Sequence, residues 1–149
     1  MKTAQIKQNI YNLIMKNGKK QTSEKLFLKS LKLIQKHSKF ENSTEILKVS
    51  IVNNAPLTKI KTVMRNKKRR NKHNITFPYL LTFNQKILVS IKNLILDSRN
   101  NKNSKFFFEN FTNEIITNTC NKQSKSIEKI SNQHNEAFLK KKFANYRWF

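Results

Sequence analysis

The chain has 149 residues, with 31 Lys plus Arg against 8 Asp plus Glu, for a net charge of +23. A single cysteine, Cys120, excludes an internal disulfide framework and any cysteine-rich zinc site. The length fits one domain, residues 1-149, able to bury a core without staples. Its charge calls for a polyanion, because such an excess repels itself in a compact chain.

Ile6, Ile10, Leu13 and Ile14 recur at helical spacing and predict a first helix that stops near Asn17. Gly18 then supplies a left-handed residue. A second helix is expected from Thr22, with Glu24 in its first turn and Phe27, Leu31 and Ile34 buried. Asn42 followed by Glu45 has the spacing of a capping box for a third helix, with Ile46, Leu47 and Ile51 inward and Pro56 ending it.

The period then changes. "LTKIKTV" is rich in β-branched residues, and "ITFPYLLTF" alternates, placing Ile75, Phe77, Tyr79, Leu81 and Phe83 on one face. A β-hairpin is expected over residues 57-81, with a cationic tip and Pro78 on an edge strand. Helical spacing returns at Ile87, Leu88, Ile91, Leu94 and Ile95, and "SRNNKNS" breaks it. A fifth helix carries Phe107, Phe111 and Ile115 before the break "NTCNKQSKS", with Cys120 expected buried. The sixth carries Ile127, Ile130, His134, Ala137 and Phe138 and runs towards Phe143. The fold expected is mainly α: a six-helix bundle with one protruding β-hairpin between the third and fourth helices.

Several function classes find no support. The acids form no close pair suited to acid–base catalysis, and His37, His73 and His134 share no metal spacing. One glycine cannot build a phosphate-binding glycine loop. The longest apolar run, residues 87–96, is interrupted by Lys92 and Asn93, too short to cross a membrane. The opening residues lack a signal-peptide core. A+T-rich codon usage accounts for much of the Asn and part of the Lys, but it would also enrich Glu, which stays scarce.

The basic clusters carry the signal. Lys16, Lys19 and Lys20 surround the first turn. Arg65, Lys67, Lys68, Arg69, Arg70 and Lys72 form the hairpin tip. Lys122, Lys125 and Lys129 enter the last helix, and Lys140, Lys141 and Lys142 precede the closing "FANYRWF". Each alone reads as a solvated face. Together, with few acids to offset them, they suit a phosphate-tracking surface. Tyr146 and Trp148 beside Arg147 are either packed against the last helix or available to stack on a base. A generic basic nucleic-acid-binding protein fits these features, and so, less well, does a cationic membrane-active one.

Three stretches carry a resemblance. "LIMKNGKKQTSE", "VNNAPLTKIKTV" and "FANYRWF" resemble, in this order, the helix-turn-helix opening, the hairpin entry and the closing aromatic motif of the universal small-subunit ribosomal protein seven family. His134 falls on a motif histidine, and Asn145 stands where His is usual. The likeness runs from about Ile6 to Trp148. It implies a helical bundle with a protruding hairpin that binds the three-prime major domain of small-subunit rRNA and helps nucleate the head. By that likeness, rRNA contacts fall on Lys16, Lys19, Lys20, Lys86, Lys122, Lys125 and Lys129, and on Lys140, Lys141, Tyr146, Arg147 and Trp148. The hairpin cations Arg65, Lys67, Lys68, Arg69, Arg70 and Lys72 would lie near the exit-site tRNA and mRNA, facing neighbouring ribosomal proteins of the head and platform. The family implies no enzyme activity, cofactor, metal or membrane. The A+T bias and the ending at the Trp motif suggest an organelle-encoded member, mitochondrial first and plastid second.

Overall fold

The computed structural model of the chain describes residues 3–37, 42–64, 74–101, 103–120 and 124–145. Its helices are α1 (Thr3–Ile14), α2 (Lys20–His37), α3 (Ser43–Asn53), α4 (Phe83–Asn100), α5 (Phe107–Cys120) and α6 (Lys125–Leu139), followed by a 3-10 turn, Lys141–Phe143. Strands β1 (Thr58–Met64) and β2 (Asn74–Leu80) lie between α3 and α4 and pair antiparallel, from Thr58 opposite Leu80 to Met64 opposite Asn74. The mainly α architecture, a six-helix bundle with a hairpin between the third and fourth helices, is therefore the one expected.

The apolar stripes read from the sequence converge on one core. Ile10, Phe27, Ile34, Ile91, Leu94, Phe111 and Ile115 are each exposed by 1% or less. Helix α5 lies against α2, α3 and α4, while α1 packs on α2 and α4. Tyr11 meets Phe27 edge to face, with ring centroids 5.5 Å apart. No helix among the described residues is long and apolar enough to cross a membrane.

The hairpin rises about 20 Å, at about 3.3 Å per residue over seven-residue strands. Phe77 and Leu81 turn inward and Leu80 outward, as alternation requires, and Tyr79 is half-buried. The Ile75 side chain and the whole cationic tip, residues 65–73, lie outside the described residues. Pro78 pairs opposite Ile60 in a sheet that has two strands among the described residues, where a missing N–H is tolerated on an edge. The Leu81 N–H donates to the Leu57 carbonyl at 3.1 Å and closes the base.

Several local expectations are corrected. Phe83 does not continue the strand face. It opens α4 and is 66% exposed, because extended Thr82 caps the helix and its N–H donates to the Gln85 side chain at 3.2 Å. Helix α2 starts at Lys20, so Glu24 sits in the second turn, 4.0 Å from the Lys20 ammonium. At α3 the Asn42 side chain donates to the Glu45 carboxylate at 3.2 Å and accepts no backbone bond, so no capping box forms. Helices α4 and α5 run into their predicted breaks, to Asn100 and Cys120, and Cys120 ends exposed. Phe138 turns outward at 67% exposure, with the Lys141 ammonium 4.7 Å from its ring. Helix α6 stops at Leu139, short of Phe143, which is 39% exposed with Lys142 over its ring.

The first turn and the hairpin base each generate a prediction. Asn17 and Gly18 both have positive φ, 52° and 73°. A Cβ at Gly18 would meet nothing within 4 Å, so only the backbone conformation resists substitution. Gly18→Val is expected to cost on the order of 1 kcal/mol or more in urea unfolding, and wild-type stability in that variant would remove the argument. At the hairpin base, the Leu57 N–H donates to His134 Nε2 at 3.1 Å, tying the hairpin to α6. His134→Phe is expected to lose about 1 kcal/mol and to speed hydrogen exchange at the Leu57 amide while α5 amides keep their protection. Unchanged exchange at Leu57 would show that the histidine does not hold the hairpin.

Candidate nucleic-acid interface

The turn after α1 and the loop after α4 face each other across a cleft of about 640 Å³. Lys16, Lys19, Arg99 and Lys105 contribute its cations, Ile14, Leu26 and Phe107 its apolar floor, and Asn17, Asn101 and Ser104 its polar rim. Among the described residues no Asp or Glu lines it. The left-handed pair Asn17 and Gly18 reverses the chain so that α2 begins at the cleft edge. The first turn of α2 carries no acid and instead carries Lys20. A cation at a helix N-terminus opposes the macrodipole, and a bound anion relieves both charges.

The opposite wall is shaped by Asn110. Its buried side-chain amide donates to the carbonyls of Asn101, at 2.8 Å, and Ser104, at 3.0 Å, while its oxygen accepts from the Ser104 N–H at 3.0 Å. One side chain thus fixes the loop that presents Lys105. Arg99 donates to the carbonyls of Leu13 and Ile14, each at 3.1 Å. It closes the C-terminus of α1 and leaves its charge at the cleft. Neither role was legible in the sequence, where Arg99 fell in an apparent helix break and Asn110 inside the fifth helix between Phe107 and Phe111.

The cations expected to bind RNA do not form one patch. Lys16 and Lys19 line the cleft and Lys20 adjoins it. Lys86 stands near the other end of α4, 13 positions from Arg99, about 20 Å along the axis. Lys125 opens α6, where the Ser124 hydroxyl accepts from the Ile127 N–H. Lys140 and Lys141 lie past the end of α6, where the 3-10 turn rests against β2. Lys122, Tyr146, Arg147 and Trp148 lie outside the described residues, as do Arg65, Lys67, Lys68, Arg69, Arg70 and Lys72. Among the described residues no cluster of His, Cys, Asp or Glu could hold a metal ion.

Lys129 has a structural task as well. Its ammonium pairs with Asp97 of α4, which is 4% exposed. The Ser126 hydroxyl donates to Asp97 at 2.6 Å and lies 3.3 Å from Glu114 of α5. Two carboxylates, a serine and a lysine thus join α4, α5 and α6. Burial raises the Glu114 pKa above 4.5, and Asp97 raises it further, against the lowering effects of Ser126, Lys125 and Lys129.

These features define a class: a basic helical domain whose apolar core presents separated cationic surfaces, one of them a cleft. Residues 1–141 match the family described as ribosomal protein S7p/S5e, and the chain belongs to that family. Its members are structural, non-enzymatic ribosomal proteins. A "small ribosomal subunit protein uS7" from Nitratiruptor sp. is 28% identical over 92% of this chain and 83% of its own length. Proteins named "small ribosomal subunit protein uS7m" from Reclinomonas americana and Schizosaccharomyces pombe are 27% and 30% identical, covering 92% and 83% of this chain. The first spans 81% and the second 47% of the relative's own length.

The Glu114 environment yields a pH prediction with a definite sign. A carboxyl whose folded pKa lies above its unfolded value binds its proton more tightly in the native state. Its contribution to stability is present below pH 4.5 and is lost as pH rises through the folded value. Glu114→Gln should therefore remove that part of the loss, so its urea midpoint relative to wild type rises from acid to neutral pH. A difference that is constant across the titration would show that Glu114 does not couple folding to protons.

Proposed function

We propose that the chain is a structural protein of the small ribosomal subunit that binds rRNA of the head and contacts neighbouring ribosomal proteins. The single observation that carries the rRNA part is the cleft where Lys16, Lys19, Arg99 and Lys105 converge on the start of α2, with no acid among the described residues that line it. Phosphate oxygens satisfy such a site, and counterion release supplies the affinity. Lys86, Lys125, Lys140 and Lys141 extend the contact surface, and the family match supports a ribosomal partner. The reading includes a hairpin near exit-site tRNA and mRNA, supported by two paired strands that flank the basic sequence 65–73. It also includes a mitochondrial location, with the plastid as alternative, supported by the A+T-rich composition.

The test is rRNA binding across salt concentrations. Lys16→Gln, Lys19→Gln and Lys105→Gln together should weaken binding to a small-subunit rRNA transcript. They should also reduce the slope of log affinity against log salt by about 2, at roughly 0.7–0.9 per lost phosphate contact. Arg99 is left in place because it caps α1. An unchanged slope would show that the cleft does not hold phosphate, and native protein sedimenting apart from ribosomes would overturn the ribosomal reading itself.

A further inference from the structure

Helix α2 carries a second surface that neither the cleft nor the terminal clusters include. Lys25, Lys29, Lys32 and Lys36 follow one another at steps of four, three and four residues. At 3.6 residues per turn they fall within an arc of about 60°. That arc lies opposite the buried face of Ser23, Phe27, Ser30 and Ile34, and all four lysines are exposed. The ladder is about 16 Å long with one ammonium per turn, a repeat of the same order as that of a sugar–phosphate backbone.

The helix gains little from this arrangement. Like charges at these spacings destabilise it, and only Lys36, in the last turn, complements the helix dipole. Among the described residues the ion pairs are Lys20 with Glu24 and Lys129 with Asp97, so none of the four ladder lysines is paired with a carboxylate. An aromatic pair borders the ladder. The Lys29 ammonium lies 5.7 Å from the Phe108 ring centroid, and Phe108 stacks with Phe106 at 5.5 Å and 23°. Phe106 is 54% exposed, so one ring is still open to a further stacking partner.

We infer that the outer face of α2 is a second RNA-binding surface. The four lysines follow the phosphates of one strand that leaves the cleft, and Phe106 stacks on an unpaired base of that strand. This rests on the rRNA-binding reading above. A row of point cations tracks a backbone without reading sequence, while an exposed ring accepts any base. The combination favours RNA over an acidic protein, which would leave the ring without a base to meet.

The experiment uses the full chain and a small-subunit rRNA transcript. The ladder variant carries Lys25→Gln, Lys29→Gln, Lys32→Gln and Lys36→Gln. The charge-matched control carries Lys7→Gln, Lys48→Gln, Lys59→Gln and Lys92→Gln. Gln and Lys have similar helix propensity, and Lys59 is exposed on β1, so both variants should fold, as melting curves will check. The ladder variant should lose at least tenfold in affinity and about 3 in salt slope, with a smaller loss in the control. Phe106→Ala should lose about five- to hundredfold with its salt slope unchanged. Equal losses in ladder and control would overturn the proposal, as would unchanged affinity in Phe106→Ala. Retained rRNA affinity in the ladder variant, with loss of binding to polyglutamate, would overturn it in favour of an acidic protein. If the wild-type chain bound rRNA without salt dependence, the parent reading would fail instead, a result the cleft variant reports separately.

Discussion

Helix α5 is the element on which the rest of the bundle closes. Helices α2, α3 and α4 each pack against it, and its Phe111 and Ile115 are 1% and 0% exposed. The Thr112 hydroxyl also donates to the Ser30 carbonyl of α2 at 3.2 Å. Replacing such a buried Phe or Ile by Ala costs about 2–5 kcal/mol, a large share of the 5–15 kcal/mol that holds a typical domain. The buried apolar cluster carries no charge, so the self-repulsion of this +23 chain is borne at its surface.

Charge is sorted accordingly. The few carboxylates drawn inside, Asp97 and Glu114, sit where α4, α5 and α6 meet and recruit Ser126 and Lys129. Arg99 is spent on the carbonyls that end α1. These two cations have backbone or carboxylate partners and are explained by the fold. Lys16, Lys19 and Lys105 at the cleft, and Lys25, Lys29, Lys32 and Lys36 along α2, have no such partner among the described residues.

Periodicity was enough to read the core, because burial of one face is what creates the period. Ile10, Phe27, Ile34, Ile51, Ile91, Leu94 and Ile115 all stand where spacing put them. The ends of elements were harder. Asn and Ser were read as breaks, yet Asn100 and Asn118 lie within helices, and buried Asn118 accepts a hydrogen bond from Ser124. Polar side chains satisfied by tertiary partners look the same in sequence as those that end a helix. The candidate site was half legible. Lys16, Lys19 and Lys20 were marked by their neighbours in sequence, whereas Arg99, Lys105 and Asn110 joined them only through the fold. The α2 ladder lay in plain view, but its meaning depends on knowing that Phe27 and Ile34 are buried and Phe108 is adjacent.

That dependence on geometry bears on how folding and binding are coupled. A ligand stabilises a protein only to the extent that it prefers the folded chain to the unfolded one. Here the unfolded chain carries the same +23 and attracts any polyanion through net charge alone. Stabilisation by RNA must therefore come from what the unfolded chain lacks. Folding brings Lys16 and Lys105, far apart in sequence, to one cleft and aligns the α2 lysines on one face. Phe106 is set at their border only when α5 stacks Phe108 beneath Lys29. Flexible polyanions, which gain little from that arrangement, attract both states. A structured RNA whose phosphates match it favours the folded state, so specificity and stabilisation arise from the same placement of charges.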